Sequence, residues 1–82
     1  MKLPIIRQIQ RTCSAAEIES AIKVLESASE STSLKGEDID VIGELISNMC
    51  GALEVHDMVL NGMAERDAVN AFMKKVLSSI DQ

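Results

Sequence analysis

The sequence predicts an all-α fold, a compact bundle of about four helices around one long central helix. Two observations predict it. Apolar residues recur at spacings of three and four, as on one face of a helix. Phe72 is the single aromatic residue, whereas strands are rich in aromatic and β-branched residues. The 82 residues suit one helical domain, residues 1–82.

The first two helices are predicted over residues 4–12 and 15–29. Pro4 suits a first helical position, where its missing backbone N–H is not needed. A strand is the alternative for residues 4–12. Ser14 and Glu17 form the Ser-x-x-Glu pattern of a capping box, and apolar residues at helical spacing follow it: Ile18, Ala21, Ile22, Leu25 and Ala28.

The last two helices are predicted over about residues 38–60 and 64–80. Gly62 is placed to end the long helix as a left-handed cap. Because the break at Asn61 and Gly62 is so short, these helices should form an antiparallel hairpin. The last helix has an apolar stripe of Val69, Phe72, Met73, Val76, Leu77 and Ile80.

Two faces can be distinguished on the long helix at 100° per residue. The main apolar arc is expected to be the core, with Leu45, Met49, Leu53 and His56 turned inward; its other members are Val41, Ile42, Ile46, Ala52, Val59 and Leu60. The other face carries a row of small residues ending in two larger apolar ones: Gly43, Ser47, Gly51, Val55 and Met58.

The small-residue row is the candidate interface. A glycine inside a helix costs about 1 kcal/mol relative to alanine, and close approach of another helix would compensate for this cost. Within the chain, that neighbour would be helix 1 or helix 2. Between chains, the row would be the interface of a homo-oligomer or of a complex with another protein.

The titratable and nucleophilic side chains predict no catalytic, cofactor-binding or metal site. A lone histidine, His56, cannot form a zinc site without several other ligands, and a core histidine is expected. Cys50 is predicted to be a small buried hydrophobe. Cys13 lies near the start of helix 2, which makes it the candidate reactive thiol.

Charge and hydropathy narrow the function classes. The net charge is −5: residues 1–12 contribute +3, and residues 13–82, with five basic and thirteen acidic groups, contribute −8. An acidic body disfavours nucleic-acid binding. No apolar run is long enough for a signal peptide or a membrane span, and the two cysteines form no CxxC motif. We therefore expect a cytoplasmic protein with reduced thiols.

Several segments resemble a family of small helical bacterial cytoplasmic proteins of unknown function. They are Met-Lys-Leu-Pro-Ile-Ile at residues 1–6, residues 34–49, Gly-Ala-Leu-Glu-Val-His at 51–56 and Phe-Met-Lys-Lys-Val-Leu at 72–77. The resemblance covers most of the chain and is specific over residues 37–56. It implies no catalytic residue. The family's thioredoxin-like and peroxiredoxin gene neighbours imply a redox connection.

The chain departs from the family pattern at two places. Cys50 stands where the family implies a tyrosine, so this thiol is a poor candidate for shared chemistry. Gly62-Met63 stands where Thr-Pro is expected.

The predicted function is a non-enzymatic protein-interaction module that self-associates through the long helix. The alternative is a thiol-dependent accessory or partner of a thioredoxin/peroxiredoxin-type redox system.

Overall fold

Four helices make up most of the chain in the computed structural model, which describes the backbone of residues 2–80 and the side chains of residues 2–78. They are α1 (Leu3–Thr12), α2 (Ala15–Ser29), α3 (Gly36–Leu60) and α4 (Glu65–Ile80). Helices α1, α2 and α4 each pack on α3. The all-α fold, the long central helix and the closing hairpin are confirmed, and residues 4–12 are helix rather than strand.

Local hydrogen bonds explain where α2 and α3 begin. The Ser14 hydroxyl accepts the Glu17 N–H at 3.1 Å, and the Glu17 carboxylate accepts the Ser14 N–H at 2.8 Å, as the capping box predicts. Asp38 Oδ2 accepts the Lys35 N–H at 3.0 Å. Because this bond reaches back three residues, α3 begins at Gly36, two residues before the predicted start.

The C-terminal end of α3 is a Schellman motif. Gly62 has a φ of 102°, in the left-handed region that glycine adopts without steric cost. Its N–H donates to the Val59 carbonyl at 3.0 Å, and the Met63 N–H donates to the Met58 carbonyl at 3.1 Å, which are the two bonds of this motif. The predicted role of Gly62 is confirmed, and the reversal directs α4 back along α3.

The core lies over the C-terminal half of α3 and receives side chains from all four helices: Ile6, Ile18, Ala52, Val55, Ala68, Val69 and Phe72. The predicted main arc of α3 supplies Ala52 to the core, and Met49, Leu53 and Val59 pack against it, but the arc is not buried along its whole length. Val41 and Leu60, both placed in that arc, are 61% and 71% exposed. Gly51 and Val55 are buried instead, because the missing side chain at Gly51 lets α1 and α4 approach this face.

The other half of the molecule has no core of its own. From Glu19 to Ser47 no residue is buried. We call this segment, residues 19–47, the arm; it comprises most of α2, the connecting loop and the first half of α3. The radius of gyration is 13.7 Å, against about 12 Å for a compact chain of this length, and the principal extents are 42 × 31 × 18 Å. The chain is therefore flat and elongated.

Candidate functional site

The five residues of the predicted interface do not share one surface. A Cβ atom on Gly51 would lie 2.9 Å from Phe72 Cζ and 3.0 Å from Ile6 Cδ1, so α4 and α1 of the same chain are the close neighbours of this glycine. Val55 is also buried, and Met58 packs at the edge of the core. Only Gly43 and Ser47 are exposed. This corrects the expectation that Gly51 and Val55 are available to a partner.

A different apolar surface is left open on the arm. Val41, Asn48 and Val55 are spaced by seven residues and therefore lie in one row along α3. Asn48 and Val55 are fully buried, whereas Val41 is 61% exposed. The face that α1 and α4 cover over the second half of α3 is thus uncovered over the first half.

Helix α2 extends this surface. Ile18 and Ile22 pack into the core, and at 100° per residue Val24 lies about 120° around α2 from Ile18. Because α2 and α3 run antiparallel, this rotation turns Val24 toward the side of the bundle on which Val41 lies. Val24 is 67% exposed. We call the resulting surface the arm face. It consists of Ala21, Val24 and Ala28 of α2 and Val41 and Leu45 of α3.

Asn48 marks the border of the arm face. Its side chain is fully buried, and its Oδ1 accepts the backbone N–H of Lys2 at 2.9 Å. This bond places the N-terminal end of α1 against α3, because a buried amide oxygen without a donor would lose free energy. Sequence analysis missed this role. The only available signal was the spacing of Asn48 between Val41 and Val55.

An ion pair ties α1 to α4 at the opposite end of the core. The Arg11 guanidinium donates to both carboxylate oxygens of Glu65, with distances of 2.6 to 3.0 Å. The hydrogen bond from Arg11 lowers the pKa of the Glu65 carboxyl, to which the charges of Arg11 and Arg7 add. Lys75 similarly bonds Glu54 at 3.1 Å and joins α4 to α3.

The lowered pKa of Glu65 predicts an acid-dependent contribution to stability. Since the folded pKa lies below the unfolded value of 4.5, this contribution is present above about pH 4.5 and is lost as the pH falls through the folded pKa. Glu65→Gln should therefore be less stable than the wild type at pH 7 in urea denaturation, and this difference should shrink as the pH falls below about 4.5. Asp67→Asn, in the same helical turn, is the control. A constant difference between Glu65→Gln and the wild type at all pH values would contradict the assignment.

His56 lies at the side of α3 and not at the centre of the core. Its ring is half-buried in a cleft lined by Ala15, Glu19, Leu53, Asp57 and Leu60, and its Nδ1 has no hydrogen-bond partner among the described residues. Neither cysteine lines this cleft. In the described part of the chain, no group of three or more His, Cys, Asp or Glu side chains could hold a metal ion.

The two cysteines are far from equivalent. Cys50 is exposed, so the prediction that it is a buried hydrophobe is wrong. Cys13 is half-buried and packs against the core at the junction of α1 and α2, with its Sγ 3.6 Å from the Thr12 hydroxyl. Both thiols are free.

Within residues 2–80, no helix combines the length and the hydrophobicity that crossing a bilayer requires. No curated protein and no solved structure matches the sequence. One family profile does match, over residues 1–81, and its description is "Family of unknown function (DUF6952)". This bears out the resemblance to an uncharacterised family: the chain belongs to the DUF6952 family of unknown function.

Proposed function

We propose that this protein is a non-enzymatic interaction module that self-associates through the arm face. The observation that carries the proposal is the arm itself. Eleven of its 29 residues are Ala, Val, Leu or Ile, and none of the 29 is buried. Eight of the eleven are half-buried, whereas Val24, Ala28 and Val41 are exposed. Apolar side chains of these types are usually removed from water in a folded protein, and a second chain packed on the arm face would cover the exposed ones.

The area that the chain exposes beyond that of a compact monomer is close to the area that a stable interface covers on one partner. The chain exposes 5648 Å², whereas a compact monomer of 8.9 kDa exposes about 4,800 Å². The difference of about 850 Å² is close to the 800 Å² or so that a stable interface covers on each partner. Dimerisation would therefore bring the exposed surface to the level of a compact protein.

A second copy of this chain is the binding partner that the arm face favours. A two-fold interface presents the same patch from both chains, and an apolar patch flanked by polar residues is complementary to itself. Val24 and Val41 carry no charge or hydrogen-bonding group that would demand a particular partner residue. The proposed assembly is a dimer in which the two arms form a four-helix unit.

Aspartate substitutions on the arm face test the proposal. Val24→Asp and Val41→Asp should each weaken dimerisation by about a hundredfold, because each introduces two desolvated carboxylates per dimer. The measurement is light scattering after size exclusion, with circular dichroism to confirm the helices. Leu77→Asp, at an apolar position of α4 that is 54% exposed, is the control and should remain dimeric. Equal loss in all three variants would argue against the arm face.

The thiol-dependent redox role is a second proposal, in which the free, half-buried Cys13 is the reactive thiol, and thiol labelling tests it. From exposure alone we expect Cys50 to react with an aromatic disulfide reagent at least about tenfold faster than Cys13, because attack requires access to the sulfur. Cys50→Ser and Cys13→Ser separate the two rates. Selective fast reaction of Cys13 would instead support the redox role at that residue.

A further inference from the structure

The N-terminal end of α1 forms a step on the surface of the molecule. The Lys2 N–H donates to Asn48, so α1 lies over α3 from Asn48 onwards and does not extend over residues 36–47, which pack on one side against α2. At 1.5 Å per residue, the part of α3 that α1 leaves open is about 18 Å long. The arm face is therefore a flat surface, here called the shelf, that is bounded at one end by the first residues of α1.

The charges at the two ends of this shelf have opposite sign. Residues 26–40, which we call the arm tip, contain five acidic side chains and one lysine, a net charge of −4. Residues 1–12 contain Lys2, Arg7 and Arg11 and no acid, a net charge of +3. Arg11 is paired with Glu65, whereas Lys2 forms no ion pair with any described residue and is exposed. The N-terminal dipole of α1 adds to the positive potential there.

Two orientations of a second arm on this shelf have opposite electrostatic consequences. In a parallel arrangement the two arm tips, each of charge −4, would lie side by side and repel. In an antiparallel arrangement each arm tip reaches the step formed by α1 of the other chain. The second arrangement brings unlike charges together twice per dimer, because the contact is repeated by the two-fold axis.

We propose that the second copy docks antiparallel on the arm face and seats its acidic arm tip against the basic N-terminal end of α1. This inference rests on the proposed function, and it adds the orientation and an electrostatic contact that fixes it. Lys2 of each chain faces the arm tip of the other, in which Glu30 and Glu37 occupy the end of α2 and the first turn of α3.

A charge-swap experiment on the full chain tests the orientation. Lys2→Glu and Glu30→Lys should each raise the dimer dissociation constant about tenfold at low salt, and the double variant should restore it to within about twofold of the wild type. Both substitutions suit the helix dipoles, since they place an acid before α1 and a base after α2, so folding is not at risk. Lys74→Glu combined with Glu30→Lys is the matched control and should show no rescue.

The outcomes separate this inference from the proposed function. Rescue in the Lys2/Glu30 pair alone, declining at about 0.5 M salt, is the expected result. If Val41→Asp disrupts the dimer but neither charge reversal changes its dissociation constant, the antiparallel orientation is wrong. The proposal of self-association through the arm face would then still hold. A monomeric wild type, or one that pairs only with a different protein, would overturn both.

Discussion

Gly51→Leu should destabilise the chain by about 3 kcal/mol, at the upper end of the usual cost of overpacking a core. A Cβ atom alone would lie 2.9 Å from Phe72 Cζ and 3.0 Å from Ile6 Cδ1, and leucine adds three further carbons to a buried position. The gain of about 1 kcal/mol from replacing a helical glycine does not offset this cost. Urea denaturation followed by circular dichroism measures the difference.

The same substitution at Gly43 is the matched control. Nothing lies within 4 Å of a Cβ built on Gly43, so Gly43→Leu should gain about 0.5 to 1 kcal/mol from helix propensity alone. The two glycines belong to one sequence row but should respond with opposite signs. Similar stability changes at both positions would show that Gly51 does not serve the approach of α1 and α4.

Phe72→Ala should cost about 3 to 5 kcal/mol. Phe72 is 3% exposed and is the only aromatic side chain of the core, and its ring also covers Gly51. A single domain of this size is stable by only about 5 kcal/mol. The variant should therefore be partly unfolded at 25 °C. Calorimetry should show that its cooperative melting transition is almost completely lost.

Leu77→Ala, on the same helix, provides the comparison for this prediction. Its side chain is 54% exposed, so truncation should cost less than about 1 kcal/mol. A Phe72→Ala variant that melts within a few degrees of Leu77→Ala would place the core elsewhere.

Local features of the fold were predictable from sequence because they depend on neighbouring residues. The Ser14–Glu17 capping box and the Gly62 cap are formed by residues a few positions apart, and the helical spacing of apolar residues identified all four helices. The start of α3 was missed by two residues because Asp38 bonds back to Lys35, a contact that leaves no distinctive pattern in the sequence.

The buried face of α3 could not be predicted in the same way. Periodicity gives the angles between residues on a helix but does not specify which neighbour covers each face. Burial of Gly51 depends on Phe72 and Ile6, which are 21 and 45 residues away along the chain, and burial of Asn48 depends on Lys2. The arm face could not be predicted for the same reason: Val41 is exposed because the N-terminal end of α1 lies at Asn48 and does not extend over Val41.

Sedimentation equilibrium of the wild-type chain is the most direct test of self-association through the arm face. At about 100 μM, well above a micromolar dissociation constant, we predict a mass of twice 8.9 kDa, and Val41→Asp should return it to that of one chain. A wild-type mass of one chain at every concentration up to about 1 mM would contradict the account.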